Sequence, residues 1–343
     1  MQTWEMIIDT ERPIRMGDLE IIVGDGSPLS YPNARLALAN ELNQAWRDYI
    51  VDMTGRRVNE IVDASVKIKL GELVSKYFEP VKIFSAGYLR KLGADLQVSK
   101  KELVEIVTQI ARIDSLYRFC GAELEGNTLT LALSNTDFKE YIGTTSKASI
   151  PEQKDFRERL VQAGIDDFND ENYYFSNPLA TCAVVVTSDG YVPLGLRSNV
   201  VAIYPNTWHT FGGYNKPNPK NEENFQPGKI DLLTQLMNEL SGEAGITDAD
   251  VRERYFLGIA RNVVTRGPEA LFYVQLDITK SELERRWLTI APDRFEHRNV
   301  TFYRISGLSG FIDQHRGRMV PTGEACLVKY NEHYQAGAFR RVA

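Results

Sequence analysis

The sequence predicts an α/β (α+β) fold, a sandwich of strands and helices preceded by a mainly helical N-terminal region. Three observations predict it. Apolar strand-like runs bounded by turn residues cluster beyond residue 180. The clearest amphipathic helix, 230–244, lies among them, and the first half of the chain carries its apolar residues mostly at helical spacing. On these grounds the 343 residues divide into an N-terminal region, 1–175, and a second domain, 176–335.

Taken in order, 33–50 (NARLALANELNQAWRDYI) has helical periodicity, with Asn33 as its cap. Helices follow at 56–78 and 99–114, the latter opening with Ser99 three residues before Glu102, the spacing of a capping box. NTLTLALS (127–134) alternates polar and apolar residues as a half-buried strand does, entered from the turn Gly126-Asn127. A short helix at 136–146 ends at Gly143, and a more polar one spans 152–163. Residues 180–188 and 191–198, joined at Asp189-Gly190, read as a β-hairpin. A short strand near 200–203 and the segment Trp208 to Phe211 lead to Gly212-Gly213. The polar stretch 214–229, with three prolines, is a long loop. Helix 230–244 has apolar residues at 230, 233, 236, 237, 240 and 244, and Gly245 stands where a left-handed cap is expected. Two buried strands, 256–264 and 270–278, then flank the turn TRGPE. A helix at 280–288, a strand at 300–305 and a helix at 322–330 complete the chain.

Composition narrows the function. A net charge of −6 argues against tracking a nucleic-acid backbone, which needs clustered Lys and Arg. No apolar run reaches the ~18–20 residues of a membrane span. The first residues, MQTWEMIIDTERP, lack the order of a signal peptide. Cys120, Cys182 and Cys326 are far apart and odd in number, which fits a reducing cytoplasm and excludes a disulfide framework. No pair among His209, His297, His315 and His333 has metal-ligand spacing, so any metal rests on carboxylates, which suits Mg²⁺ or Mn²⁺.

The carboxylates with such spacing are Glu239 and Glu243, four apart on one face of helix 230–244. Like charges so placed repel unless a cation lies between them, or unless both are simply solvated. Around them the order is strand, Gly-Gly, loop, carboxylate helix and Gly cap. In that order NELSGEAGI (238–246) resembles the end of the Nudix motif, G-x5-E-x7-R-E-U-x-E-E-x-G-U, where U is aliphatic. Glu239, Leu240, Glu243, Gly245 and Ile246 match it. Asn238 replaces the Arg, Gly242 replaces the first Glu of the pair, and Ile230 stands where the earlier Glu belongs. Gly213 lies eleven residues too far ahead of the helix to open a standard box. Further segments, DFKEYIGTTS (137–146), LGLRS (194–198), FGGYNKP (211–217), LGIARN (257–262) and FYVQLDIT (272–279), are similar in order to the divergent Nudix branch of UDP-sugar diphosphatases. The likeness covers most of 127–335 and extends faintly to helix 33–50 and KIFSAGYL (82–89).

That resemblance implies a Nudix-type α/β/α sandwich with a mixed sheet, and Mg²⁺-dependent hydrolysis of UDP-glucose or UDP-galactose to UMP and sugar 1-phosphate. It implies Glu239 and Glu243 as metal ligands and Glu296 as a base or further ligand, with Glu222 or Glu223 in the long loop as alternatives. Arg197 and Arg261 offer guanidinium forks to phosphate, Gly212 and Gly213 allow close backbone approach, and Thr144, Thr145 and Asn262 offer polar contacts to substrate. Trp208 and Tyr273 read as core residues before stacking platforms. The partner is then a small nucleotide diphosphate, with no nucleic acid and no membrane, and the N-terminal region shapes either the substrate pocket or a homodimer interface. Two other functions stay open: a Nudix-like nucleotide-binding module without strong catalysis, and a hydrolase of ADP-ribose or dinucleotides.

Overall fold

A computed structural model describes residues 3–25, 39–59, 114–199, 201–216 and 230–339. In chain order the strands are β1 (Trp4–Arg15), β2 (Glu20–Asp25), β3 (Ser115–Glu125), β4 (Thr128–Asp137), β5 (Ala180–Val186), β6 (Tyr191–Arg197), β7 (Trp208–His209), β8 (Phe211–Tyr214), β9 (Val251–Asn262), β10 (Pro268–Leu276) and β11 (His297–Arg304). The α-helices are α1 (Ala39–Asn59), α2 (Phe138–Tyr141), α3 (Lys154–Phe168), α4 (Leu232–Ala244), α5 (Lys280–Thr289), α6 (Leu308–His315) and α7 (Pro321–Gln335).

The central sheet has the order β1-β9-β10-β5-β8, with β10 and β5 parallel and the remaining pairs antiparallel. All nine residues of β10 are buried, because this inner strand is covered on both faces. Its side chains alternate accordingly. Phe272 and Val274 pack with Leu236 and Leu240 of α4, while Leu271 and Tyr273 face Ala325, Cys326 and Tyr330 of α7. The result is a mixed α/β architecture with a helix on each face of the sheet. Two three-stranded sheets flank it, β11-β6-β7 and β2-β4-β3. Tyr273 is a core residue, and Trp208 packs edge-on against Phe311. Among the described residues no helix is long and apolar enough to cross a membrane.

Several expected elements differ. The turn after β5 forms, with Gly190 N–H donating to the Thr187 carbonyl at 3.0 Å, but β5 and β6 enter different sheets. Both edges of β5 are already taken by β10 and β8, so no hairpin ladder is available to β6. Residues 201–204 are bends, not a strand, and Tyr204 has a positive φ of 51°. Gly143 does not end its helix. The chain runs on through a π turn, Ile142–Ser146, and the missing Cβ lets Leu42 of α1 pack against it. Strands β1, β2 and β3 and helix α6 are additions to the predicted set. β1 pairs with β9 from Trp4↔Asn262 to Arg15↔Tyr255, so the ladder crosses the expected boundary at 175/176. The helices expected at 56–78 and 99–114 lie outside the described residues, apart from 56–59 in α1 and residue 114, and so do KIFSAGYL (82–89), Asn33, Glu222 and Glu223.

Candidate active site

Helix α4 is set by its caps. The Asp231 carboxylate accepts from Leu233 N and Thr234 N, both at 3.0 Å, and Gly245 closes the helix at φ 70°. With Leu236, Leu240 and Ala244 in the core, Glu239 and Glu243 are turned toward β8. Glu243 is only 2% exposed and accepts from Gly212 N–H at 3.0 Å. A Cβ on Gly213 would lie 2.6 Å from the Glu239 carboxyl carbon. The two glycines therefore serve the close approach of β8 to the glutamates. On its other side, a Cβ at Gly212 would run into the Thr181 carbonyl of β5.

The pair is thus not a solvated helix face, and its electrostatics follow from burial. Burial, and then the neighbouring Glu243, push the Glu239 carboxyl up to about 8. Burial likewise pushes Glu243 up to about 8, although Arg197 and the Gly212 N–H pull it down. Glu296, at the foot of β11, is raised to about 7 by burial and by Glu243. His297 pairs with Arg197 across the β11–β6 ladder, and burial and that guanidinium depress it to about 4. It is neutral at physiological pH, so its 3.6 Å approach to Glu243 is not an ion pair.

A cavity of about 340 Å³ opens beside these groups. Its polar wall holds Arg197, Lys216, Glu239, Glu296, Gly212 and Gly213. Its aromatic wall holds Tyr49 of α1 together with Phe138, Tyr141, Tyr204, Tyr214 and Phe295. Arg197 is held by its Nε–H, which donates to the Ile203 carbonyl at 3.1 Å. Glu243 stands behind the wall.

Other residues singled out from the sequence are placed elsewhere. Thr144 Oγ1 donates to the Glu140 carbonyl at 2.7 Å and accepts from Ser176 N–H at 3.0 Å; Thr145 Oγ1 accepts from Asn177 N–H at 3.4 Å. Both hydroxyls tie the π turn to the 172–178 loop inside the protein and do not line the cavity. Arg261 points away from the cavity, pairing with Glu5 of β1 and, at 3.8 Å, with Glu171. Asn262 does reach the wall, but its Oδ1 accepts from Val264 N–H at 2.8 Å and Thr265 N–H at 3.1 Å, closing the turn after β9. Lys216, Glu269, Asp293 and the aromatic wall were not singled out. Of these, Phe138 and Tyr141 lie in DFKEYIGTTS, Tyr214 and Lys216 in FGGYNKP, and Asp293 three residues before Glu296 in DRFEHRN.

Carboxylate oxygens, with no thiolate among them, are donors that suit a hard divalent cation. Among the described residues no three His, Cys, Asp or Glu side chains stand close enough to surround an ion unaided. Its remaining ligand positions therefore fall to water and substrate oxygens.

No family model matches the chain. It is 24% identical over 216 residues to the human uridine diphosphate glucose pyrophosphatase NUDT22, covering 60% of this chain and 69% of that protein. The mouse protein of the same name is 25% identical over 217 residues, with 60% and 68% covered. Nudix hydrolase 9 of Arabidopsis thaliana is 24% identical over 196 residues, with 52% and 60% covered. Among solved structures, a Caenorhabditis elegans Ap4A hydrolase aligns at 16% identity and a TM-score of 0.28, over 46% of this chain and 98% of that one. The MutT protein of Methanosarcina mazei aligns at 12% and 0.29, over 46% and 94%. By these relatives the chain is similar to Nudix hydrolases, and among them it resembles the UDP-glucose diphosphatase branch.

Proposed function

We propose that the chain hydrolyses a nucleoside diphosphate sugar, UDP-glucose or UDP-galactose, with one water to UMP and sugar 1-phosphate, using Mg²⁺ or Mn²⁺. The observation that carries this reading is the pair Glu239 and Glu243, the first on the wall of a cavity with cationic and aromatic sides and the second buried behind it. Carboxylates pushed up by burial, and Glu239 by Glu243 as well, are costly to ionise, and a divalent cation offsets that cost. When bound, the ion neutralises charge growing on phosphate oxygens and makes water more acidic.

The chain's own residues do the rest. Glu239 and Glu243 hold the ion, and the Gly212 N–H fixes the orientation of the Glu243 carboxylate. Glu296, raised to about 7, is poised near neutrality to take a proton from the attacking water on its carboxylate oxygen. Arg197 and Lys216 face the diphosphate, and Arg197 adds a planar fork suited to phosphate oxygens. Tyr49, Phe138, Tyr204 and Tyr214 offer ring faces to the base and the sugar. The relatives named UDP-glucose pyrophosphatases support uridine and glucose as the two ends.

The test is a panel of UDP-glucose, UDP-galactose, ADP-ribose and diadenosine tetraphosphate, each with Mg²⁺ or EDTA, assayed for nucleotide release. We expect metal-dependent UMP from the UDP-sugars ahead of products from the others. Binding of UDP-glucose without any hydrolysis would leave a nucleotide-binding module instead.

A further inference from the structure

We propose that Glu269 is the hydrogen-bond acceptor for two adjacent hydroxyls on a sugar ring of the substrate. This rests on the reading that the cavity takes a nucleoside diphosphate sugar. Glu269 is the second residue of β10 and pairs with Ala260 of β9 on one side and Ala180 of β5 on the other. Tyr214 of β8 follows in the same row, opposite Ala180. Residues paired across neighbouring strands share a face, so only methyl groups flank the carboxylate in its row. That leaves room beside it, and Glu269 lines the cavity although it is only 6% exposed.

A carboxylate buried in this way needs donors. The Thr322 hydroxyl and the Cys182 thiol each hydrogen-bond to it, while Arg197 acts on it through charge. A carboxylate has about four acceptor positions, so two donors from the protein leave capacity on the cavity side. What fills it follows from chemistry. Phosphate is repelled by a carboxylate. A pyrimidine brings one N–H and two carbonyl oxygens, which an acceptor-only group does not satisfy. A sugar ring brings hydroxyls on adjacent carbons, each able to donate, with C–H edges between them. The wall beside Glu269 is aromatic: its charge reaches the phenols of Tyr204 and Tyr214, and both rings line the cavity. The Tyr204 hydroxyl accepts from Asn262 Nδ2, which pins that ring in place. Ring faces cover the C–H edges of a sugar while the carboxylate takes its hydroxyls. The substrate carries such pairs of hydroxyls on its hexose and on its ribose.

The experiment measures binding by calorimetry in EDTA, with kcat/KM in Mg²⁺ as a second readout. The probes are UDP-glucose and analogues that each lack one hydroxyl of the hexose or of the ribose. Wild type should lose at least ~10-fold in affinity for the analogues lacking either member of one adjacent pair, since the carboxylate is then left short of a donor. Which ring suffers tells hexose from ribose. Glu269→Gln keeps the shape and should bind UDP-glucose at least ~10-fold more weakly, yet bind those analogues no worse than UDP-glucose. A merely structural role does not produce that coupling between residue and hydroxyl. Where Glu269→Gln does not melt cooperatively, Glu269→Asp, which keeps the charge and shortens the reach, should blunt the same discrimination. Wild-type affinity indifferent to every hydroxyl overturns the proposal, and so does a folded Glu269 variant that discriminates as wild type does. Wild type that neither binds UDP-glucose in EDTA nor cleaves it in Mg²⁺ overturns both this proposal and the reading it rests on. Discrimination that depends on Glu269, without hydrolysis of any nucleotide sugar, overturns only the reading of function.

Discussion

Arg261 shows what a single residue's neighbours decide. It interrupts the apolar run LGIARNVV, and its guanidinium stands 25% exposed against Glu5 and Glu171, clamping β1 to β9 at the pair Glu5↔Arg261. An exposed pair of this kind contributes about 0.5–1 kcal/mol. Arg261→Gln should lower thermal stability by roughly that much while leaving KM for UDP-glucose unchanged. A raised KM with an unchanged melting curve would place Arg261 at the substrate after all. The run itself could not tell which face Arg261 takes, because alternation fixes the period and not its phase. The partner Glu5 lies 256 residues away and has no local signature. Glu239 and Glu243 were legible as a pair because their spacing is local; their burial was not, since it depends on two glycines of a distant strand.

At the scale of elements, that strand carries the next expectation. A Cβ at Gly213 meets the flexible end of Glu239, whereas one at Gly212 meets the backbone of β5. Gly213→Ala should leave the melting midpoint nearly unchanged but displace the Glu239 carboxylate, weakening Mn²⁺ binding and lowering kcat. Gly212→Ala should destabilise the fold by about 1–3 kcal/mol, the usual cost of overpacking. Equal thermal losses in the two variants, measured by calorimetry, would contradict this division. Helix α4 and strands β9 and β10 were legible from periodicity, cap and length. β1 was not, because its register shifts between Met6 and Ile8 and between Asp9 and Ile14 break the two-residue period that would have revealed it. The misread hairpin has the same lesson: a tight turn dictates that the chain reverses, not that the two strands pair.

For the molecule as a whole, the raised carboxylates link folding, protons and metal. Glu239 and Glu243 titrate near 8 in the fold against an ordinary value of 4.5, so the folded state holds protons that the unfolded chain releases. Their contribution to stability is present below the ordinary carboxylate range and is lost as pH rises toward 8. In EDTA the melting midpoint should therefore fall between about pH 5 and pH 8 through this site. Mg²⁺, which competes with the protons, should raise the midpoint more at pH 8 than at pH 5. An Mg²⁺ effect that is flat across this range would detach the ion from the two glutamates. A sandwich of strands and helices was legible in outline from the second half of the chain. The contribution of α1, which brings Tyr49 to the cavity wall, was not, because packing between distant segments leaves no pattern in either.

If Glu239 and Glu243 hold the ion that hydrolysis of a nucleotide sugar needs, loss of either carboxylate must stop the reaction. UDP-glucose is incubated in Mg²⁺ with wild type and with Glu243→Gln, and UMP release is followed. Gln can still accept from the Gly212 N–H, so the fold should persist, with a cooperative melting transition as its check. Rapid UMP release by wild type is expected, with a loss of at least ~10²-fold in the variant, the scale of several kcal/mol of charge stabilisation. Hydrolysis by folded Glu243→Gln at the wild-type rate would contradict it.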